Sequence, residues 1–199
     1  MENHLVVIRY WFGTDPDDAR VAKEHAALWW SKDQRIDDEI RRKFKPLVLA
    51  AGSNALNDWK ATVYGKLALI LLTDQFPRNI FRGKPEAFRF DDIALDVSLQ
   101  GLAAGEDKLL RPIHRAFFYL PLEHSENLEH QHRCVKLFQE LFHEVPDHQK
   151  PIFEGFLEYA LRHYAIIERF GRFPHRNAIL GRESTPQEVR FLQQPGSSF

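Results

Sequence analysis

Apolar positions recur at helical spacing along almost the whole chain, and no stretch alternates in the way a half-buried strand requires. Ile36, Ile40, Phe44 and Leu47 form one stripe, introduced by Ser31 and Gln34 at capping-box spacing and closed by Gly52. A second helix is predicted from about Asn57 to Phe76, with Trp59, Val63, Leu67 and Ile70 on one face. Pro77 lacks an amide donor and restricts the residue before it, so it is expected to stop that helix. Asp91 is placed to cap a helix carrying Ile93, Ala94 and Val97 that closes near Gly105. Pro112 suits the first turn of a short helix through Phe118. Ser125 or a near neighbour opens the next, with Leu128, Val135, Phe138 and Phe142 inward. A long helix after Pro151 carries Ile152, Phe156, Ala160, Ile167 and Phe170, and Thr185-Pro186-Gln187-Glu188 opens a short last one. The pattern predicts about eight helices in a single all-α domain over residues 1–199, packed as antiparallel helix pairs across short turns.

Composition agrees with a packed globule: 44% of the residues are hydrophobic, with 16 Phe and 4 Trp. A formal net charge of -1 supplies no field for nucleic acid or an acidic membrane, so neither is expected as a partner. The amino terminus has only a four-residue apolar run, Leu5 to Ile8, too short for a signal peptide. The longest apolar run, Leu67 to Leu72, is six residues, far short of a membrane span. Cys134 is the single cysteine, which excludes an internal disulfide and fits a reducing, cytoplasmic setting.

The chain's most distinctive feature is a near-repeat. Residues 74–79 read DQFPRN and residues 170–177 read FGRFPHRN. Each copy follows an apolar run and is followed by an arginine beside a glycine, Arg82-Gly83 or Gly181-Arg182. Arg78, Asn79, Arg172, His175, Arg176 and Asn177 therefore cluster near helix ends, where arginine can hold a carboxylate or phosphate in two-point fashion. Asp74 continues the stripe of Val63, Leu67 and Ile70, and a carboxylate there must be met by a cation. His163 lies on an apolar stripe with Phe156, Ala160 and Ile167. It is either a satisfied core histidine or, in a cavity shared with His124 or His175, a proton-transfer group.

Leu122-Glu123-His124-Ser125-Glu126 reads first as a helix start, with Ser125 capping and Glu123 and Glu126 complementing the dipole. On a helix His124 and Glu126 diverge by about 200° and cannot chelate one ion together. A metal site would need His124 or Glu126 with distant partners such as His163 and His175; no zinc or calcium pattern occurs, so no metal and no cofactor are expected. His130 and Cys134 share a helix face, though a small buried thiol is the plainer reading. Of the adjacent Trp29 and Trp30, at most one can be exposed.

The strings LALILLTDQFPRNIFRG, FFYLPLEHSE, HYAIIERFGRFPHRNAILGR and FLQQPGSSF resemble a bacterial family of uncharacterised proteins, a domain of unknown function placed in the TPR-like helical superfamily. The resemblance runs from RYWFG to Phe199 and implies an array of helical hairpins, a TPR-like α-α superhelix, without supplying an activity. Three classes of function stay open. The first is a pocket for a small anionic molecule between the two FP-containing segments, with Asp74, His124 and His163 as candidates for chemistry. The second is a protein-interaction module. In the third, the paired motifs act only as ion-pair locks.

Overall fold

The computed structural model describes residues 3–198, and their regular structure is entirely helical. Met1, Glu2 and the terminal Phe199 of the last motif lie outside the described residues. Helix α1 spans His4–Phe12 and α2 Asp18–Trp30. Helix α3 covers Gln34–Gly52; its N-cap is Asp33, whose side chain accepts from the Arg35 amide, while Ser31 caps the C-terminal end of α2. The acceptor sits two residues later than the capping-box spacing implied, because an aspartate serves the first turn directly.

The expected stop at Pro77 does not occur. Helix α4, Val63–Ile70, runs through one π-helical turn at Leu71–Gln75 into α5, Phe76–Ile80, with Pro77 in the first turn of α5. The Phe76 amide donates to Leu71 O, one residue beyond the α-helical partner. The wider turn accommodates a proline ring that a continuous α-helix would reject. Asp74 lies inside that turn.

Helix α6 is Asp91–Ala103, followed by Gly105 at φ 67°, and α7 is Pro112–Glu123, opened by proline as the sequence implied. Every residue of α7 from Ile113 to Glu123 is buried, as expected of a run with no polar stripe. Helix α8, Leu128–Glu144, is capped by Asn127, which accepts from the Glu129 and His130 amides; Ser125 lies outside it. Helix α9 is Lys150–Phe170. The ring contacts Phe138–Phe156 and His132–Tyr164, with Lys150 over Phe142, show that α8 and α9 run antiparallel. Helix α10, Pro186–Leu192, opens with the reciprocal Thr185–Glu188 capping box. A main apolar core extends from Val7 to Ala160, and a smaller one joins Ile166, Ile167 and Phe173 to Phe170 and Phe191.

Two expected outcomes arise from this packing. A Cβ on Gly65 would sit 2.0 Å from the backbone oxygen of Trp59. Gly65→Ala should therefore lower stability by about 1–3 kcal/mol in chemical denaturation, against the ~1 kcal/mol that alanine gains in an open helix. An unchanged or raised stability would show that the 57–61 turn yields freely.

His114 is buried against the Phe12 ring at 4.4 Å, and burial, helped by Arg111, lowers its pKa from 6.5 to about 3. A folded-state pKa below the unfolded one contributes stability that is complete above pH 6.5 and is lost as pH falls toward about 3. His114→Phe should thus become more stable relative to the parent by up to about 1.4 kcal/mol per pH unit in that window. A difference that stays constant with pH would contradict it.

Candidate functional site

The two FP-containing segments meet. Arg78 donates to both carboxylate oxygens of Asp91, at 2.9 and 3.0 Å, and Arg176 Nη1 lies 3.7 Å from the same carboxylate. Both guanidiniums also face the Phe88 ring. Each copy then spends its remaining polar groups in a parallel way. Asn79 and Arg82 share the buried Asp37, whereas Arg182 binds Glu126 and the side-chain oxygen of Asn177. Glu126 additionally accepts from the Phe173 amide at 2.7 Å, so it fastens the second motif in place.

Asp74 is fully buried at the hub. Its Oδ1 accepts from His124 Nδ1 at 2.7 Å, Arg78 Nη1 lies 3.2 Å away, and Gln75 donates to Oδ2. Burial alone would raise the Asp74 pKa; the Arg78 charge and the His124 ring outweigh it and hold the carboxyl well below its ordinary value. A carboxylate and a backbone carbonyl only accept, so both ring protons are assigned. His124 carries its proton on Nδ1 toward Asp74, and His163 carries its own on Nδ1 toward Tyr159 O, at 2.8 Å. In each neutral ring Nε2 is then the lone-pair atom.

Glu123 completes the group. It is 4% exposed, its Oε1 lies 3.4 Å from His163 Nδ1, and its Oε2 has no hydrogen-bond partner among the described residues. Burial, reinforced by the Asp74 charge, pushes its pKa up to about 8. Burial pushes both histidines the other way; Arg78 adds to it at His124, and His124 adds to it at His163. Neighbouring carboxyls thus take opposite protonation states at neutral pH, which is how a site holds an acid and a base together.

These groups border a cleft of about 950 Å³. Its cationic lining is Lys23, Lys32, Arg78, Arg82, Arg162 and Arg176; among the described lining residues Glu123 is the one carboxylate. Trp30, Phe88, Ile152 and Phe156 supply apolar walls. Arg176 is the distinctive member. It is 7% exposed, sandwiched between Phe88 and Phe173 at 4.7 and 4.5 Å, and its Nε is unpartnered among the described residues. Burial, and then the Arg78 charge, lower its pKa to about 10. His175 also lines the cleft, and burial, aided by Arg176, lowers it to about 4.

Of the residues singled out from the sequence, Arg78, Asn79, His124, His163, His175 and Arg176 gather at this cleft, with Asp74 behind them. Arg172 and Asn177 do not. Arg172 is held by Glu188 and Glu183 O, and Asn177 by Ser184 and Arg182. In the sequence Glu123 reads as a dipole partner, but it ends α7, where a carboxylate opposes the dipole. Its place directly after the run Ala116 to Leu122, which carries no charge, is the signal that could have marked it. Potential ligand atoms of Glu123, His124 and His163 lie within 4.8 Å of one another. Of the set the sequence pointed to, His124 or Glu126 with distant partners such as His163 and His175, the fold brings His124 and His163 together, with Glu123 in place of Glu126. Cys134 is buried with its thiol pKa pushed well up by burial, and His130 is engaged with Ser125, so the two form no nucleophile pair.

Together these features describe an all-helical protein with a cationic, partly apolar cleft above a buried carboxylate–imidazole cluster. The chain belongs to the family described as bacterial protein of unknown function (DUF924), which it matches over residues 7–196. A solved structure of a protein of unknown function from Agrobacterium tumefaciens is 34% identical, with a TM-score of 0.78 and 96% of each chain covered. No curated protein matches this chain. No helix among the described residues is long and apolar enough to cross a membrane.

Proposed function

We propose that the cleft binds a small anionic molecule, bearing a phosphate or a carboxylate, against Arg176 and beside the Asp74–His124 pair. The observation that carries this reading is Arg176 itself. A guanidinium held between two aromatic faces has lost most of its water, and its nearest carboxylate, Asp91, is already gripped at both oxygens by Arg78. An arriving anion would supply what the fold withholds. The apolar walls favour a ligand with a hydrophobic body behind its charged head. The Asp74–His124 pair and the neutral Glu123 equip the same cleft for proton transfer.

The test is thermal stability of the protein against inorganic phosphate, phosphate monoesters, and mono- and dicarboxylates. One class is expected to stabilise the parent by about 2.7 kcal/mol at a hundredfold excess over its dissociation constant. Arg176→Met, which keeps the stacked stem, should abolish that gain with the unliganded fold intact. Equal stabilisation of both proteins, or of neither, removes the reading.

A second reading follows from the TPR-like resemblance: the helices act as an array that docks a partner protein. What favours it is Trp30, 55% exposed at the cleft and stacked on Phe117. Trp30→Ala should then abolish partner capture while leaving stabilisation by anions intact.

A further inference from the structure

We propose that Glu123, His124 and His163 hold a divalent first-row transition-metal ion, of the zinc or cobalt(II) type, at the floor of the cleft. Three observations carry the assignment. The first is the donor set: two imidazoles and one carboxylate, with potential ligand atoms within 4.8 Å of one another. Such a set suits a tetrahedral or five-coordinate ion and leaves a coordination position for water or a ligand. An ion bound at ~2.1 Å by each donor requires these side chains to close in on it.

The second is the support behind the ligands. Histidines that bind metals donate their other ring N–H to a carboxylate or a backbone carbonyl, which fixes the tautomer and raises the basicity of the ligating nitrogen. Both patterns occur side by side here. His124 Nδ1 donates to Asp74 at 2.7 Å, and His163 Nδ1 donates to Tyr159 O at 2.8 Å. The Asp74 carboxylate is itself held by Arg78 and Gln75, so the support extends into the π-helical turn. With Nδ1 engaged in each ring, Nε2 is the nitrogen whose lone pair can bind an ion.

The third is Glu123. Its side chain is more than nine-tenths buried, and Oε2 lacks a hydrogen-bond partner among the described residues. A buried carboxyl oxygen left unmet costs several kcal/mol in general, and fully buried carboxyls are ordinarily paired or bound to metal. The surrounding charge also admits a cation. Asp74 and Asp91 balance Arg78 and Arg176, so once Glu123 gives up its proton to an incoming ion the five groups carry one negative charge. A dication reverses that sign and would add to the pull on an anion, but the metal assignment does not depend on the anion reading.

The experiment uses the full chain, stripped with a chelator and titrated with cobalt(II), then zinc(II). One cobalt per chain is expected, with the intense visible bands of four- or five-coordinate cobalt, bleached as zinc displaces it. Glu123→Gln and His163→Gln, both close to isosteric, should each weaken binding by more than about 100-fold, beyond what loss of a supporting group alone costs. His130→Gln should bind like the parent. Should either variant unfold, proton NMR of the cobalt-loaded parent decides. His124 and His163 hold their Nδ1 protons in buried hydrogen bonds, so two hyperfine-shifted exchangeable signals are expected. No stoichiometric cobalt in the parent, binding unchanged in both variants, or a signal count other than two would overturn the site. Arg176→Met should retain cobalt while losing anion stabilisation, so the metal and anion assignments fail separately.

Discussion

Asp74→Asn is expected to cost about 3–5 kcal/mol of folding stability, the range typical of removing one partner from a buried ion pair. The substitution keeps the shape and removes only the charge. Arg78, 21% exposed along its side chain, would then have Asp91 as its one counter-charge among its described contacts, a carboxylate it already shares with Arg176. His124 would lose its ionised acceptor, and Gln75 would face an amide in place of a carboxylate. Because the energy lies in the pair, Asp74→Asn with Arg78→Met should cost less than the two single changes summed, by more than about 1 kcal/mol. Urea denaturation of the four proteins measures this cycle. If Asp74→Asn stayed within 1 kcal/mol of the parent, Asp91 alone would be balancing Arg78, and the hub would be Asp91.

Phe117→Ala is expected to destabilise by a similar 3–5 kcal/mol, for a different reason. Phe117 has no exposed surface, and its ring meets those of Trp11, Phe12, Trp29, Trp30 and Phe156 at 4.7 to 6.0 Å. These rings come from α1, α2 and α9, so the residue joins the amino-terminal helices to the α8–α9 pair. Truncation leaves a cavity that rigid indoles cannot close. Phe117→Leu should cost less, and in that variant anion stabilisation should survive even though Trp30 loses its stacking partner. A loss below 1 kcal/mol in Phe117→Ala would mean that the aromatic cluster relaxes into the space.

The helices themselves were legible in the chain. Helical spacing in α3 and α9, proline in the first turn of α7, the capping box at Thr185 and glycine after α6 all act within one or two turns, so sequence distance and physical distance coincide. The same locality explains the misplaced boundaries. Several polar residues near α3 and α8 could accept from the first turn, and geometry selected Asp33 and Asn127. The continuation through Pro77 had no local mark; the residues of the π turn, Leu71 to Gln75, are all buried.

The sequence by itself determined that this is an all-α protein and that Asp74, on an apolar face, must be met by a cation. Only the tertiary structure decided which arginines are spent internally and which reach the cleft. Arg172 and Arg82 look like Arg176 in the chain, yet Glu188 engages Arg172 outside the cleft, Asp37 engages Arg82 at its lining, and no carboxylate fully engages Arg176. It also decided that Glu123, rather than Glu126, joins His124 and His163. The physical reason is range. Helix formation depends on neighbours three and four positions apart, whereas the His124–Asp74 and Arg182–Glu126 contacts bridge 50 and 56 positions. Many polar residues could equally fill such long-range roles, and only the packing of helices selects among them.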